Sequence, residues 1–300
     1  RNRDESLQEA PVAISVIGAQ QIESVGATRV TEIAARLPNV SSVDQPAGAG
    51  VFSFTPYIRG INTYGRNIGF ESGFGIFLNG AYAGRNEAAN KFLPDVERIE
   101  FLPGPQATLF GKNTTIGVMN IVTRKPGSVW DGSLEARLGN DGAREYRVSA
   151  SGPMTDNAGV TLAAGRREYD GYYRNVIPAS RQVFDPDGAF DGREGPVFES
   201  NGGSIEFVAD LGRTNLDLLL DYTRAEREND VYLARVEGFD ALPVDVRESA
   251  TMGTHELREF GGVLTLTSEV GAGDLTLITA HRDFDSDVPF DGDAYAYPLQ

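Results

Sequence analysis

From Asp131 onward, apolar and polar residues alternate in short segments that show no helical period. In the first segment, Leu134, Ala136 and Leu138 are separated by charged residues. A period of two places the apolar residues on one face of a strand and the polar residues on the other. The segments that follow this scheme, the last of them least clearly, are Ser133–Gly139, Glu145–Ser151, Val160–Ala164, Ile205–Leu211, Leu216–Tyr222, Val263–Glu269 and Leu275–Phe284. This part of the chain is therefore predicted to form an antiparallel sheet with one apolar face.

The connections between these segments differ in length. The first is a tight turn at Asn140–Gly142, whereas the third and fifth are long and polar, at about Asp170–Gly202 and Arg227–Glu256. The second, fourth and sixth connections are short: Gly152–Asn157, Gly212–Thr214 and Gly271–Gly273. Short turns at one rim and mostly longer loops at the other are typical of an outer-membrane β-barrel. A soluble sandwich can show the same asymmetry by chance, so both architectures stay open at this point.

Composition narrows the classes of function. The chain has 300 residues, enough for two domains, and a formal net charge of −16 at pH 7. Such a charge repels polyanions, so we expect no nucleic-acid partner. The sequence has no cysteine, which excludes disulfides, thiolate metal sites and a thiol nucleophile. No stretch approaches the roughly 18 uninterrupted apolar residues of a membrane helix, so a membrane-spanning form must be a barrel.

Three local patterns suggest chemistry, and each fails on its residues. A phosphate-binding loop ending at Gly111–Lys112 needs Gly at position 106 and Ser or Thr at 113, but Gln106 and Asn113 stand there. The acidic run 185–194 lacks the ligand register of a calcium loop. Two histidines lie in or near predicted strands and are expected to face the surface or the lumen: His255 and His281. We therefore expect no catalytic residue, no metal site and no cofactor.

The first 130 residues combine strand and helix patterns. Alternation over 12–16 predicts a strand, and helical spacing over 30–37 predicts a helix that ends before Pro38. The glycine-rich stretch 46–75 then contains more aromatic residues than a connector requires. Another strand is predicted over Gly75–Gly80, followed by a second loop, Tyr82–Phe92.

The segment Val96–Pro126 carries the most recognisable pattern of the chain. Two apolar, β-branched runs, Val96–Leu102 and Val118–Thr123, bracket a turn rich in Gly and Pro. Within that turn, Pro105–Leu109 is predicted as a short helix with Pro at its first position. The whole segment resembles the end of the plug domain of TonB-dependent outer-membrane receptors. The resemblance extends back to Leu7 and forward past Pro126.

The resemblance implies an α+β plug domain over residues 1–127. It also implies antiparallel transmembrane β-barrel strands over 128–300, about seven of the 22 expected in a large transporter. The implied protein is not an enzyme but a receptor in the outer membrane of a Gram-negative bacterium. It would import a scarce nutrient, most often a ferric siderophore, with energy from TonB, and its other partner would be outer-membrane lipid. We expect the TonB box before Arg1 and the remaining strands beyond Gln300. The alternative is a secreted or periplasmic β-rich ligand-binding protein with an α+β N-terminal module.

Several residues match the structural motifs of the plug. In YIRGI, Arg59 is expected to be a buried ion-pairing residue and Gly60 a turn residue. The other matching positions, expected to shape the plug without touching a ligand, are Glu97, Arg98, Glu100, Gly104, Pro105, Gly111 and Asn120. This chain departs from the family pattern at Pro103, where Arg is usual, and at Ala107 and Ile116, where Gly is usual. Losing that arginine removes a charge commonly tied into the plug's ion-pair network.

By resemblance, ligand contacts come from the outward loops of the plug and from the barrel lumen. Aromatic and arginine side chains suit a flat, anionic ligand such as a ferric siderophore. The two loops that carry such side chains here are Phe52–Phe70 and Tyr82–Asn90. The candidate ligand-binding residues are Tyr64, Arg66, Phe70, Tyr82, Arg85 and Asn86. Packing within the plug is the alternative interpretation of the aromatic residues.

Overall fold

The structure is a computed structural model. It describes residues 13–25, 27, 30–34, 36–44, 54–61, 71–84, 95–171, 173–175, 194–195, 197–228, 246–247 and 254–287. Two sheets dominate the described residues, one in residues 13–123, called here the N-terminal unit, and one from Asp131 to Asp287. Residues Arg124–Trp130 link them.

The N-terminal unit combines short helices with a mixed sheet. Its elements are β1 (Ser15–Gly18), α1 (Ala19–Ser24), α2 (Val30–Ala34), β2 (Val40–Asp44), β3 (Phe54–Ile58), β4 (Phe74–Leu78), β5 (Ala81–Tyr82), β6 (Val96–Pro103), α3 (Ala107–Phe110) and β7 (Gly117–Thr123). The sheet has the order β1-β6-β7-β4-β5, with β4 and β7 parallel and the other neighbours antiparallel. Strands β2 and β3 pair separately.

The core of the N-terminal unit lies where β4, β6 and β7 carry consecutive apolar residues. Phe54, Phe74 and Phe101 are fully buried, and their rings follow one another at centroid distances of 5.9 and 6.2 Å. Every residue of β4 is buried, as expected of a strand with neighbours on both edges and side chains on both faces. The hydrophobic effect therefore stabilises this unit largely through its central strands.

The second sheet is an up-and-down meander. Its strands are β8 (Asp131–Leu138), β9 (Arg144–Thr155), β10 (Ala158–Tyr169), β13 (Phe198–Asp210), β14 (Thr214–Glu228), β16 (Thr254–Val270) and β17 (Gly273–Asp287), each antiparallel to the next. The chain between β10 and β16 also contains three short strands that pair together: β11 (Tyr173–Asn175), β12 (Glu194–Gly195) and β15 (Val246–Arg247). No closed barrel forms among the described residues.

The two faces of the meander differ in character. One row of cross-strand neighbours, Thr161, Glu206, Leu219 and Val263, is buried. Leu219 and Val263 of this row join the core of the N-terminal unit, so this face points inward. The opposite face carries exposed apolar side chains, among them Leu134, Leu138, Tyr146, Leu162, Ile205, Phe260 and Leu277. Within the described part of the chain, the helices are too short and too polar to cross a membrane.

All seven predicted segments of the second sheet are strands, and most of their apolar residues lie on one face. Leu219 and Val263 are exceptions, because they face inward and pack against the N-terminal unit. The strands are longer than predicted, because their ends do not keep the alternation; β16, for example, already begins at Thr254. The tight turn and the three short connections are also confirmed. The two long connections are shorter than predicted, since β13 already begins at Phe198 and β14 runs to Glu228.

In the N-terminal unit, the strands around 12–16, 75–80, 96–102 and 118–123 and the helix over 30–37 are confirmed with shifted ends. The short helix was wrongly placed at Pro105. It runs over Ala107–Phe110, and Gln106 is its N-cap residue. Helix α1 was not predicted, because its six residues give no full helical period. Tyr82, expected in a loop, ends the two-residue strand β5.

Candidate functional site

Most of the predicted ligand-binding residues lie outside the described part of the chain. This holds for Tyr64, Arg66, Phe70, Arg85 and Asn86. The described residue among the candidates is Tyr82, which two residues separate from the segment 85–94. A ligand-binding role for the six residues therefore stays a prediction.

Tyr82 is held by the N-terminal unit on two sides. Its ring lies 5.5 Å from that of Phe77, and it packs beside the cluster formed by Phe77, Leu102 and Val118. Its hydroxyl accepts a hydrogen bond of 3.0 Å from the side-chain amide of Asn113. These contacts fix the side chain at the point where the second predicted loop leaves the sheet.

An exposed ion pair lies at the end of the sheet where β4 and β7 begin. The ammonium of Lys112 is 2.6 Å from the carboxylate of Glu71. The hydrogen bond from Lys112 holds the pKa of Glu71 below its usual value. Both side chains are more than half exposed, so the pair tethers two loops rather than supporting a core.

The predicted plug motif is brought together on the sheet. Arg98 forms ion pairs of 2.6 and 2.8 Å with Glu97 and Glu100. Glu100 also accepts a hydrogen bond of 2.9 Å from Asn120, whose side-chain oxygen accepts one of 3.1 Å from the backbone N–H of Gly80. These hydrogen bonds tie β6, β7 and the turn after β4 to one another.

The glycines of the motif occupy backbone conformations that favour glycine. Gly60, Gly104 and Gly111 have φ angles of 79°, 89° and 78°. The N–H of Gly104 donates to the carbonyl of Ile116, which closes the loop that begins at Pro105.

Arg59 corrects a prediction. It was expected to be buried in an ion pair, but its side chain is exposed. Its φ angle of 52° turns the chain at the end of β3, and its N–H donates to the carbonyl of Asn39. The position therefore acts through its backbone conformation, which an apolar-and-polar sequence pattern does not reveal.

The N-terminal unit meets the second sheet through a polar contact that sequence reasoning missed. Both carboxylate oxygens of Glu206 on β13 accept hydrogen bonds, one from the hydroxyl of Thr123 and one of 3.3 Å from the amide of Asn79. Asn79 and Thr123 also bond to each other, at 2.7 and 3.0 Å. The sequence feature that could have indicated this contact is a glutamate on the polar face of a strand that was predicted from its alternation.

The linker forms a second contact with the same region. The ammonium of Lys125 is 2.7 Å from the carboxylate of Asp217 on β14. Burial disfavours the charged form of Lys125, but Asp217 and the nearby charge of Glu206 outweigh it and raise its pKa. The end of β7 is thus bound to two neighbouring strands of the second sheet.

Further along the inward face, three strands contribute a charged cluster. Arg282 of β17 is paired with Asp221 of β14, at 3.1 Å, and with Glu259 of β16. All three side chains are largely buried. The guanidinium of Arg167 lies 4.5 Å from the ring centre of Phe198, also on the inward face.

The two histidines behave as predicted from their strands. His255 is buried on the inward face and lies 2.9 Å from the hydroxyl of Ser286, whereas His281 is exposed on the outer face. Among the described residues, no cluster of His, Asp and Glu is arranged to hold a metal ion.

A cavity of about 220 Å³ lies between the N-terminal unit and strands β8 and β9. Its apolar side comes from α1 and α2, including Ile22 and Ile33. Its polar side includes Asp95, whose carboxylate is 3.0 Å from Arg124. Burial raises the pKa of Asp95, although Arg124 opposes this change. The cavity adjoins the linker and is distant from the ends of the sheet that carry the predicted ligand loops.

Known proteins resemble this chain in sequence and in fold. The family model of the TonB-dependent Receptor Plug Domain matches residues 6–118. The vitamin B12 transporter BtuB of Vibrio vulnificus is 27% identical over 171 residues, which are 56% of this chain and 27% of that transporter. The chain thus spans about a quarter of the length of this relative.

Two solved structures share the fold. The ferric yersiniabactin uptake receptor FyuA from Yersinia pestis superposes with a TM-score of 0.75 at 19% identity, over 93% of this chain and 42% of that receptor. The siderophore receptor PiuA from Acinetobacter baumannii superposes with a TM-score of 0.69 at 15% identity, over 92% of this chain and 37% of that receptor.

Proposed function

Because this chain is part of a TonB-dependent receptor, we propose that it closes and lines the path by which a scarce nutrient enters a Gram-negative cell. Receptors of this family are transporters and not enzymes. The observation that carries the proposal is the seating of the N-terminal sheet on the inward face of the meander, through Glu206, Leu219 and Val263. A plug held against a barrel wall is the arrangement that such transport needs.

The proposed division assigns residues 1–127 to the plug and 128–300 to the barrel. It is supported by the position of the linker, which begins after Thr123, where the plug sheet ends, and reaches β8 at Asp131. The outer face of the meander presents large apolar side chains such as Leu134, 85% exposed, and Leu138, 77% exposed. Lipid would remove the apolar surface of these side chains from water, which is favourable, and this supports an outer-membrane location.

We assign the nutrient to the ferric siderophores on two grounds. Of the solved structures that share the fold, PiuA is named a siderophore receptor and FyuA a ferric yersiniabactin uptake receptor. The two predicted ligand loops carry aromatic and arginine side chains, which suit a flat anionic chelate. The B12 transporter among the relatives makes cobalamin the second nutrient to test. Energy would come from TonB, acting on a segment that precedes the plug.

Uptake in cells tests the proposal. The full-length receptor would be expressed in a strain that lacks its own siderophore receptors, and radiolabelled ferric siderophores and cobalamin would be supplied one at a time. We expect accumulation of one siderophore class that stops when TonB is deleted. Accumulation of cobalamin alone would reassign the nutrient, and binding without any TonB-dependent accumulation would overturn the transport function.

A further inference from the structure

Both oxygens of one barrel carboxylate are used by the plug. Glu206 is 2% exposed, and its two acceptor atoms face donors from two plug elements: Thr123, the last residue of β7, and Asn79, in the turn between β4 and β5. We infer that Glu206 is the residue by which the barrel wall holds the plug sheet in its closed position. This inference rests on the proposed function, because it assigns the contact that keeps the path closed.

The hydrogen bonds around Glu206 continue into the plug. The backbone N–H of Thr123 donates to the side-chain oxygen of Asn79. The two plug residues that bind Glu206 are therefore also hydrogen-bonded to each other. The neighbouring residue Gly80 is bonded to Asn120, and Asn120 is bonded to Glu100. A displacement of Glu206 would therefore disturb this whole set of plug hydrogen bonds and not a single side chain.

The register of the barrel strands explains why the contact lies at Glu206. Glu206 is directly opposite Leu219, and Leu219 is directly opposite Val263. The two apolar residues of this row pack into the plug core, so the row forms the line along which the wall touches the plug. Glu206 is the residue of this row that hydrogen-bonds the plug. Hydrogen bonds require a defined geometry, so Glu206 fixes the position of the plug more narrowly than apolar packing does.

A buried donor that loses its acceptor is costly, because neither water nor another group replaces the hydrogen bond. Removing the carboxyl group of Glu206 would leave the hydroxyl of Thr123 and the amide of Asn79 without this acceptor. Lys125 and Asp217 form an ion pair beside Glu206, at 2.7 Å, which holds the linker to β14 through different atoms. The linker can therefore stay attached while the end of the plug sheet is released.

Single-channel recording tests the role of Glu206, because a receptor with a released plug conducts ions without nutrient or TonB. The purified full-length receptor would be placed in planar lipid bilayers as parent, Glu206→Ala, Thr123→Val and Glu206→Gln. Glu145→Gln is the matched control. Glu145 is a buried glutamate of β9 that pairs with Arg147 of its own strand, at 2.5 Å.

We expect Glu206→Ala and Thr123→Val to raise the frequency of open-channel events at least about tenfold, the factor that the loss of one buried hydrogen bond gives when a polar group is left without its partner. Glu206→Gln should restore most of the closed state, because its amide group can still bond both Thr123 and Asn79. Glu145→Gln should behave as the parent.

Unchanged opening in both Glu206→Ala and Thr123→Val would overturn the inference, as would an equal increase in Glu145→Gln. Thr123→Val leaves the barrel sequence intact, so it remains informative if Glu206→Ala does not assemble. The recording uses no nutrient. A receptor that opens as expected but imports nothing would refute the proposed function while supporting the role of Glu206.

Discussion

The guanidinium of Arg282 fills the space that a side chain on Gly261 would occupy. A Cβ built on Gly261 would lie 2.5 Å from Nη1 of Arg282 and 2.5 Å from a carboxylate oxygen of Asp221. Gly261 and Arg282 are directly opposite each other on β16 and β17. The absence of a side chain at position 261 is therefore what lets Arg282 reach Asp221 and Glu259 across the inner surface of the barrel wall.

We expect Gly261→Ala to destabilise the barrel by roughly 1–3 kcal/mol, because overpacking would push Arg282 away from its two carboxylates. Chemical unfolding of the full-length receptor in lipid vesicles would measure the change. Gly262→Ala is the control, since its Cβ would approach the tip of the Leu220 side chain at 3.1 Å, and that side chain faces outward and can rotate. Equal effects at the two glycines would show that the space beside Arg282 is not used as described.

A similar close approach occurs in the plug at Gly75. A Cβ there would lie 2.7 Å from the methyl group of Thr114 and 2.9 Å from the ring of Phe77. Gly75→Ala should therefore destabilise the plug by roughly 1–3 kcal/mol, seen as faster amide exchange in β4 and β7 of the full-length receptor.

Thr114→Ser offers a direct check of that prediction. Serine removes the methyl group and keeps the hydroxyl that donates to the carbonyl of Gly111 at 2.7 Å. We expect the double variant Gly75→Ala/Thr114→Ser to recover part of the lost protection. If the second substitution brings no recovery, the methyl group of Thr114 is not the obstacle.

The sequence was informative where one physical rule dominated. Alternation located the strands of the meander, because a wall with an apolar outer face must repeat every two residues. The same rule places Glu206 on the polar face of its strand but does not say which residues it contacts. Its contacts with Thr123 and Asn79 join residues 83 and 127 positions apart, respectively, and only the fold reveals them.

Arg59 shows a different limit of sequence reasoning. A motif match suggested a buried charge, yet the position serves a turn with a positive φ angle and an exposed side chain. Backbone conformation of this kind is signalled by Gly or Asn, and Arg gives no such signal. For the ligand loops, the residue types indicate a class of ligand, while their mutual geometry depends on how two separate loops meet.

Asp95 should make the stability of the receptor depend on pH. Burial raises the pKa of its carboxyl above the ordinary value of 3.8. A raised acid pKa gives a stabilising contribution that is complete below the ordinary value and is lost as the pH rises through the pKa of the folded state. As the pH rises from 3.8 through the pKa of the folded state, the free energy of unfolding of the parent should therefore fall relative to that of Asp95→Asn. At higher pH the difference between the two proteins should become constant. Parallel curves for the two proteins, or a difference of opposite sign, would show that Asp95 is not held in a desolvating site.

The last prediction concerns nutrient capture by Arg66 and Arg85, one in each predicted ligand loop. A guanidinium in a partly desolvated pocket can pair with an anionic chelate, and a charged hydrogen bond is worth roughly 1.5–3 kcal/mol. Arg66→Ala/Arg85→Ala should therefore weaken binding of the transported siderophore at least about tenfold. Stability should hardly change, since arginines in predicted loops seldom support a core.

The control for this pair is Arg36→Ala/Arg213→Ala, which removes two exposed arginines outside the ligand loops and so changes the net charge equally. Titration of each purified full-length variant with ferric siderophores and cobalamin gives the affinities. If the control weakens binding as much as the loop variant does, the effect is one of overall charge. If neither variant weakens it, the two loop arginines are solvated and the contacts must come from the barrel wall, where Arg167 and Phe198 are the residues to replace next.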